Sequence, residues 1–418
     1  MQKETFRIFG IPVYSREYSG TTANPSPDFL QALGAVDTNS GVSVNQETAL
    51  TLSAVWRAVN VVSGTLAFLP LQVFRKVKDG SRENLPTHPA QKVIDNPNTI
   101  VTDFVFKQIM HASRMLYGNA YALIIRDSGG YPREFHFLHP DNVYPYVIPE
   151  VGMMYRVTGI DYHVPAKDMI HLMSLSKDGI MGRSVIAVQR ESLGLAKAAE
   201  VYGARFFGSG TNMDGVIEVP GELNEASFKN MSKSWNERYS GLKNSHSTPI
   251  LEGGAQYKRI GIPPEDAQFL QTRQFQVSEI ARWYGVAPHL LFDLSRSTNN
   301  NIEHQGMEFV QYTLAPDIAM WESELRRKLF NSSERPTHYC EFNLNALLRG
   351  DSKTRAEFYR GMFAVGSMSP NKIRQLENLS PYKGGDRHYV QAGFVPTDKI
   401  DEIYNKNTTN EKTTNSPA

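Results

Sequence analysis

The side chains able to do chemistry are few and poorly grouped. Ser174-x-x-Lys177 and Ser380-x-x-Lys383 have the spacing of a serine nucleophile whose proton is taken by a lysine. Such four-residue matches are common by chance, and the companion motifs of serine–lysine enzymes are missing. His136 and His139, with Asp141 near them, carry donor atoms that suit a divalent metal, although histidines held by structural hydrogen bonds account for the same residues. Cys340 has no adjacent base to turn it into a thiolate. The sequence has no Gly-x-x-x-x-Gly-Lys-Ser/Thr phosphate loop, no His-Glu-x-x-His, no Gly-x-Ser-x-Gly and no Cys-x-x-Cys. It therefore assigns no catalytic residue, no metal and no cofactor, and an ATP-driven motor is disfavoured. A different surface chemistry collects at Asp293, Ser295, Arg296, Ser297, Thr298, Asn299, Asn300 and Asn301: one carboxylate, then hydroxyls, amides and one guanidinium that no apolar core could absorb.

Two helical patterns must hold this polar stretch. Before it, Pro263-Pro264-Glu265-Asp266 supplies proline and negative charge at a helix start, and Gly285 and Pro288 mark the stop. Leu270, Val277, Ile280 and Tyr284 fall on the buried face of that helix. After it, Met307, Val310, Leu314, Ile318, Trp321, Leu325 and Leu329 recur every three or four residues, which paints one apolar stripe along an α-helix. Pro316 removes a backbone donor and clashes with the carbonyl four residues earlier, yet leaves the phase of the stripe unshifted. The pattern predicts one long helix kinked near Leu314.

The 418 residues, 40% of them hydrophobic, can bury a sizeable core in roughly two to four structural units. A single cysteine excludes intrachain disulfides and cysteine-cluster metal sites, which fits a reducing cytoplasm. The first residues lack an apolar secretory core, and no stretch reaches the roughly 18 apolar residues of a membrane span, so export and membrane insertion are not expected. Lysine and arginine total 44 against 43 acidic residues, so nothing announces a chain that grips nucleic acid through phosphate neutralisation.

Along the chain, residues 18–47 are rich in Ser, Thr, Gly, Asn and Pro and read as a flexible arm. A helix from Leu52 to Leu69 ended by Pro70, a strand over 71–77 turning at Asp79-Gly80, a helix over 103–116 ending at Gly118, and a hairpin of 121–126 with 134–138 follow. Together they make an α+β domain. Ser184 opens a helix over 185–207 that is rich in alanine and glycine and closed by Gly208 and Gly210. It is either a core helix of a monomer or a helix packed against copies of itself. A strand over 215–219 and a charged helix over 224–239 come next, and Lys229, Lys233 and Arg238 form a solvated face or a docking surface. Asp351-Ser352 and Ser369-Pro370 cap helices over 355–364 and 371–379, and the tail from 405 is polar.

The segment Ala281-Arg282-Trp283-Tyr284-Gly285-Val286-Ala287-Pro288-His289-Leu290-Leu291, followed by Asn301-Ile302-Glu303-His304-Gln305 and Gln311-Tyr312-Thr313-Leu314-Ala315-Pro316, resembles the HK97-like portal proteins of tailed bacteriophages. Other blocks agree in order: Ala54-Val55-Trp56-Arg57-Ala58-Val59-Asn60, Tyr117-Gly118-Asn119-Ala120-Tyr121, Asp178-Gly179-Ile180-Met181-Gly182-Arg183-Ser184, Leu348-Arg349-Gly350-Asp351 and Glu377-Asn378-Leu379-Ser380-Pro381. The resemblance covers about residues 50–395, with Lys372 where an acidic residue is usual and Ala287 where proline is frequent.

It implies a portal fold of the α+β class. The parts are a flexible arm (1–48), an α/β wing (49–183), a stem helix (184–210), an α/β clip (211–263), a second stem helix (264–287), a tunnel loop (288–301), a long kinked wing helix (302–330), a helical crown (331–400) and a disordered tail (401–418). It also implies a homo-oligomeric ring of twelve subunits at one capsid vertex, no membrane, and assembly in the host cytoplasm. Through that ring the large terminase packages double-stranded DNA, which later leaves the same way. The major capsid protein and head-completion or adaptor proteins are further implied partners. In that picture the polar residues from Asp293 to Asn301 narrow the channel and meet the DNA backbone, while terminase docks on the clip near Lys229, Lys233 and Arg238. Near-neutral charge would let duplex slide without many strong phosphate contacts. The competing reading is a cytoplasmic enzyme with an unrecognised active site.

Overall fold

Apolar residues three and four apart wind the first long helix of the computed structural model. The structure describes residues 2–8, 11–16, 38–78, 80–208, 215–221, 223–239, 251, 254–259, 266–294, 305–344, 346–347, 352–377 and 379–389. It divides into a unit over 1–342 and a second over 343–418.

In the first unit β1 (Gln2–Ile8) and β2 (Ile11–Arg16) pair as an antiparallel hairpin. That hairpin lies within the arm read from sequence as flexible over 1–48, and so do the buried Thr38 and Val44 and the start of α1 (Gln46–Leu50), which opens on a capping box. Asn45 accepts from the Thr48 amide at 2.8 Å while Thr48 Oγ1 accepts from the Asn45 amide at 2.8 Å. Such a box forms from two short polar side chains and leaves no apolar period to read. The helix α2 (Ser53–Phe68) buries Val55, Val59, Val62 and Leu66, as its spacing predicts.

After it β3 (Leu71–Lys76) turns through Gly80, at φ 84°, into β4 (Arg82–Asn84). Two helices follow, α3 (Pro89–Asp95) and α4 (Asp103–Tyr117), the second capped by Thr102 and closed by Gly118 in the left-handed region. Then β5 (Asn119–Arg126) and β6 (Pro132–Leu138) make the expected hairpin, β7 (Val143–Ile148), β8 (Gly152–Val157) and β9 (Val164–Pro165) form a separate sheet, and β10 (Met169–Met173) joins the free edge of β5. Tyr121, Val143, Tyr155, Val164 and Met169 pack between the two sheets.

Two of the blocks that carry the resemblance meet in a backbone knot. Gly118 lies against the Arg183 backbone and Gly182 against the Gly118 carbonyl, so a methyl group at either glycine would collide with main chain. Asn119 locks the pair: its Nδ2 donates to Gly182 O at 2.9 Å and its Oδ1 accepts from Gly182 N at 2.7 Å. Ser174 N donates to Gly118 O at 2.8 Å and its hydroxyl to Arg114 O at 3.1 Å, so this serine serves the knot and not a lysine.

Ser184 caps α5 (Val185–Val188), and a break at Gln189 separates it from α6 (Arg190–Gly208), where the sequence predicted one helix. Gly194 of α6 receives Thr38 in a space that a side chain would fill. Next come β11 (Gly215–Glu218), the charged helix α7 (Glu225–Tyr239), β12 (Gln256–Arg259), which pairs with β11, and α8 (Asp266–Trp283). The long helix ends as α9 (Ala315–Leu329), and β13 (His338–Phe342) returns to pair with β3, opposing Cys340 to Val73. Cys340 is fully buried; burial pushes its thiol well above the ordinary range, and Glu322 acts in the same direction.

The second unit carries α10 (Ser352–Ala364) and α11 (Pro370–Leu376), the latter capped by Ser369 and ending three residues before the sequence-based limit. Asn371 holds the following turn by exchanging two 2.9 Å hydrogen bonds with the Tyr382 backbone.

Candidate functional site

The polar stretch springs from a built base. Ile280, Ala281 and Tyr284 bury the last turn of α8, and Gly285 ends it at φ 65°, facing Thr313 of the long helix, whose hydroxyl donates to Gly285 O. Pro288–Leu291 then forms one 3-10 turn, in which Leu290 N donates to Ala287 O at 2.9 Å and Asp293 N to Pro288 O at 3.1 Å. Arg57, from α2, reaches across: its Nε donates to Leu290 O at 3.0 Å and its guanidinium carbon lies 4.7 Å from the centre of the Phe292 ring. On the far side His289 Nδ1 and Gln305 Oε1 are 2.6 Å apart, joining the chain ahead of the stretch to the chain beyond it.

Of the sequence-predicted residues, Asp293 is half-buried on this base; Ser295, Arg296, Ser297, Thr298, Asn299, Asn300 and Asn301 lie outside the described residues. Lys229 and Lys233 sit exposed on α7, with Lys229 paired to Glu225 at 2.6 Å; of Arg238 the structure describes only its place in the helix. Arg57, His289 and Gln305 carried no assigned role in the sequence reading. Their partners are 233 and 16 residues away, beyond the reach of any periodicity.

The long helix departs from its predicted form. Phe309–Leu314 is a π-helical turn, closed where Ala315 N donates to Val310 O. Pro316 has no N–H to offer, and the wider turn relieves its ring of the carbonyl it would otherwise meet. The extra residue shifts the phase: Met307, expected in the stripe, is 59% exposed, Val310 is half-buried, and Phe309, at 8%, takes the buried position five residues before Leu314. Beyond it Ile318, Trp321, Leu325 and Leu329 are buried as expected.

Just past the π turn, Asp317 anchors the helix to α4. Arg114 Nη2 lies 2.7 Å from its Oδ1, and His111 Nε2 lies 2.9 Å from its Oδ2, although that N–H does not point squarely at the oxygen. Trp321 Nε1 donates to His111 Nδ1 at 3.3 Å, which requires that nitrogen to be unprotonated. Burial accordingly holds the His111 pKa below the ordinary histidine value. Burial alone would raise the Asp317 carboxyl, but His111 and Arg114 together hold it below its usual range. The titratable groups here fasten one helix to another. His136 pairs with Glu134 at 2.8 Å and His139 meets Tyr117 at 3.1 Å, and no metal-binding group of three His, Cys, Asp or Glu occurs among the described residues.

A family model described as phage portal protein matches residues 53–378. The chain belongs to the phage portal protein family. The portal protein of Enterobacteria phage HK97 is 34% identical over 361 residues, which span 85% of each chain. A probable portal protein of Streptomyces phage phiC31 is 32% identical, across 86% of this chain and 81% of its own. Among solved structures, an HK97 family phage portal protein from Corynebacterium diphtheriae superposes with a TM-score of 0.54 at 17% identity, covering 73% of this chain and 98% of that one. The neck of a native gene transfer agent particle, computed with C12 symmetry, gives 0.54 at 20% identity over 81% and 93%. The mixed helix-and-sheet architecture is therefore the portal fold, and this chain is a portal protein.

Proposed function

We propose that this portal protein assembles head to tail into a closed ring of twelve at one vertex of a phage capsid, and that double-stranded DNA passes through the ring during packaging and ejection. The segment from Asp293 to Asn301 lines the channel and touches the DNA backbone. The large terminase docks on the outer end near Lys229, Lys233 and Arg238, and capsid and head-completion proteins hold the rest. Family membership supports this reading, as do apolar side chains that stand exposed on one chain: Leu195 and Tyr202 on α6, Phe275 on α8, and Trp56, Val105 and Ile109 along the groove between α2 and α4.

The observation that carries the DNA-facing role is the clamped base. The segment between Leu294 and Gln305, whose residues 295–301 are hydroxyls, amides and one guanidinium, has Arg57 on one flank and the His289–Gln305 pair across both. Replacing Arg296 with Ala, or residues 299–301 with Gly, is expected to leave rings and unfolding temperature nearly unchanged, within about 0.5 kcal/mol, while lowering the yield of DNA-filled heads. Packaging at the wild-type rate and extent in both variants would refute the role.

A further inference from the structure

We propose that Arg57 is a positioning residue for the DNA-facing segment, holding its base from a helix remote in sequence; this rests on the reading of that segment given above. Arg57 touches the turn at two places, the Leu290 carbonyl and the face of Phe292. Phe292 is the informative partner. It sits at φ 63°, in the left-handed region where an L-residue is strained and glycine or asparagine is the usual occupant. The residue is 74% exposed, so burial does not explain it. A guanidinium stacked on the phenyl face does, because a planar cation over an aromatic ring is attracted by its quadrupole and glycine would offer no such face.

The αL residue turns the chain immediately before Asp293, so fixing Phe292 fixes the direction in which the segment leaves. His289 and Gln305 tie the return, 2.6 Å apart. Arg57 itself lies half-buried on α2, outside the buried stripe of Val55, Val59 and Val62, so its loss leaves the packing of that helix intact. A contacting group is only as well placed as the shell that supports it.

The test uses assembled rings. In Arg57→Ala, hydrogen exchange of the peptide spanning 288–306 is expected to quicken about tenfold, with ring size and unfolding temperature unchanged, and DNA-filled heads are expected to fall several-fold. Arg57→Lys, which can restore the Leu290 bond but not the planar stack, should fall between. Unchanged exchange in Arg57→Ala overturns the proposal, as does wild-type packaging despite faster exchange. In that second case normal packaging by Arg296→Ala as well puts the failure in the DNA-facing reading, whereas impaired packaging by Arg296→Ala puts it in the clamp. Should Arg57→Ala rings not assemble, Phe292→Leu, which keeps an apolar side chain but removes the face for the guanidinium, carries the same test.

Discussion

Acid should weaken the fold through His171. The imidazole is buried between Tyr155, whose hydroxyl lies 3.2 Å from Nδ1, and Asn119, whose Oδ1 lies 3.1 Å from Nε2. Burial, and then the charge of Lys328, lower its pKa from 6.5 to about 3. The unfolded chain takes up this proton below pH 6.5 while the folded chain resists until about 3, so the contribution to stability is complete above 6.5 and is lost as the pH falls between those values. His111 shifts in the same direction. Denaturant unfolding at a series of pH values should therefore lose a few kcal/mol on the acid side, and His171→Gln should be weaker at neutral pH but flatter through the window. A flat wild-type profile would contradict a neutral buried imidazole. Sequence alone pointed to His136 and His139, because they are close together in the chain. It passed over His111 and His171, whose partners Asp317 and Asn119 are far away and whose burial no local pattern records.

At the scale of elements, the π turn decides which side chains hold the long helix. Phe309→Ala is expected to cost about 3 kcal/mol, since it empties a filled site, while Met307→Ala should stay within about 0.5 kcal/mol. Thermal and denaturant unfolding of the two variants checks this, and the reverse ranking would restore the unshifted stripe. Pro316 made the disturbance legible, α2 and α4 followed to within a residue from apolar spacing, Pro70 and Gly118, and the β5–β6 hairpin was legible although each of its strands starts two residues earlier than expected. An inserted residue is different. A template that accepts steps of three or four runs through a five-residue step by choosing the wrong neighbour, and Met307 and Val310 supplied one. The break at Gln189 had no signal either, because no proline or glycine marks it.

For the whole molecule, native mass measurement or negative-stain class averages should give closed rings; a stable monomer or dimer at high concentration under every salt condition would refute the assembly. With charges balanced at 44 to 43 and no nucleotide loop in the sequence, the purified protein should neither hydrolyse ATP nor bind duplex DNA with submicromolar affinity at physiological salt. Activity that survives removal of contaminants, or tight binding, would count against the channel reading. The family was legible from ordered blocks, two of which form the knot at Gly118 and Gly182. The base of the polar segment was not, because Arg57 and Leu290 meet only once the chain has folded.

The lone cysteine has a practical corollary. With Cys340 sealed in β13 and its thiol held protonated, maleimide reagents should leave the native protein essentially unlabelled. A cysteine engineered at position 297 would then be the sole reactive handle on each subunit. On the proposed channel reading, a fluorophore there would follow DNA entry photon by photon, without first removing a native cysteine.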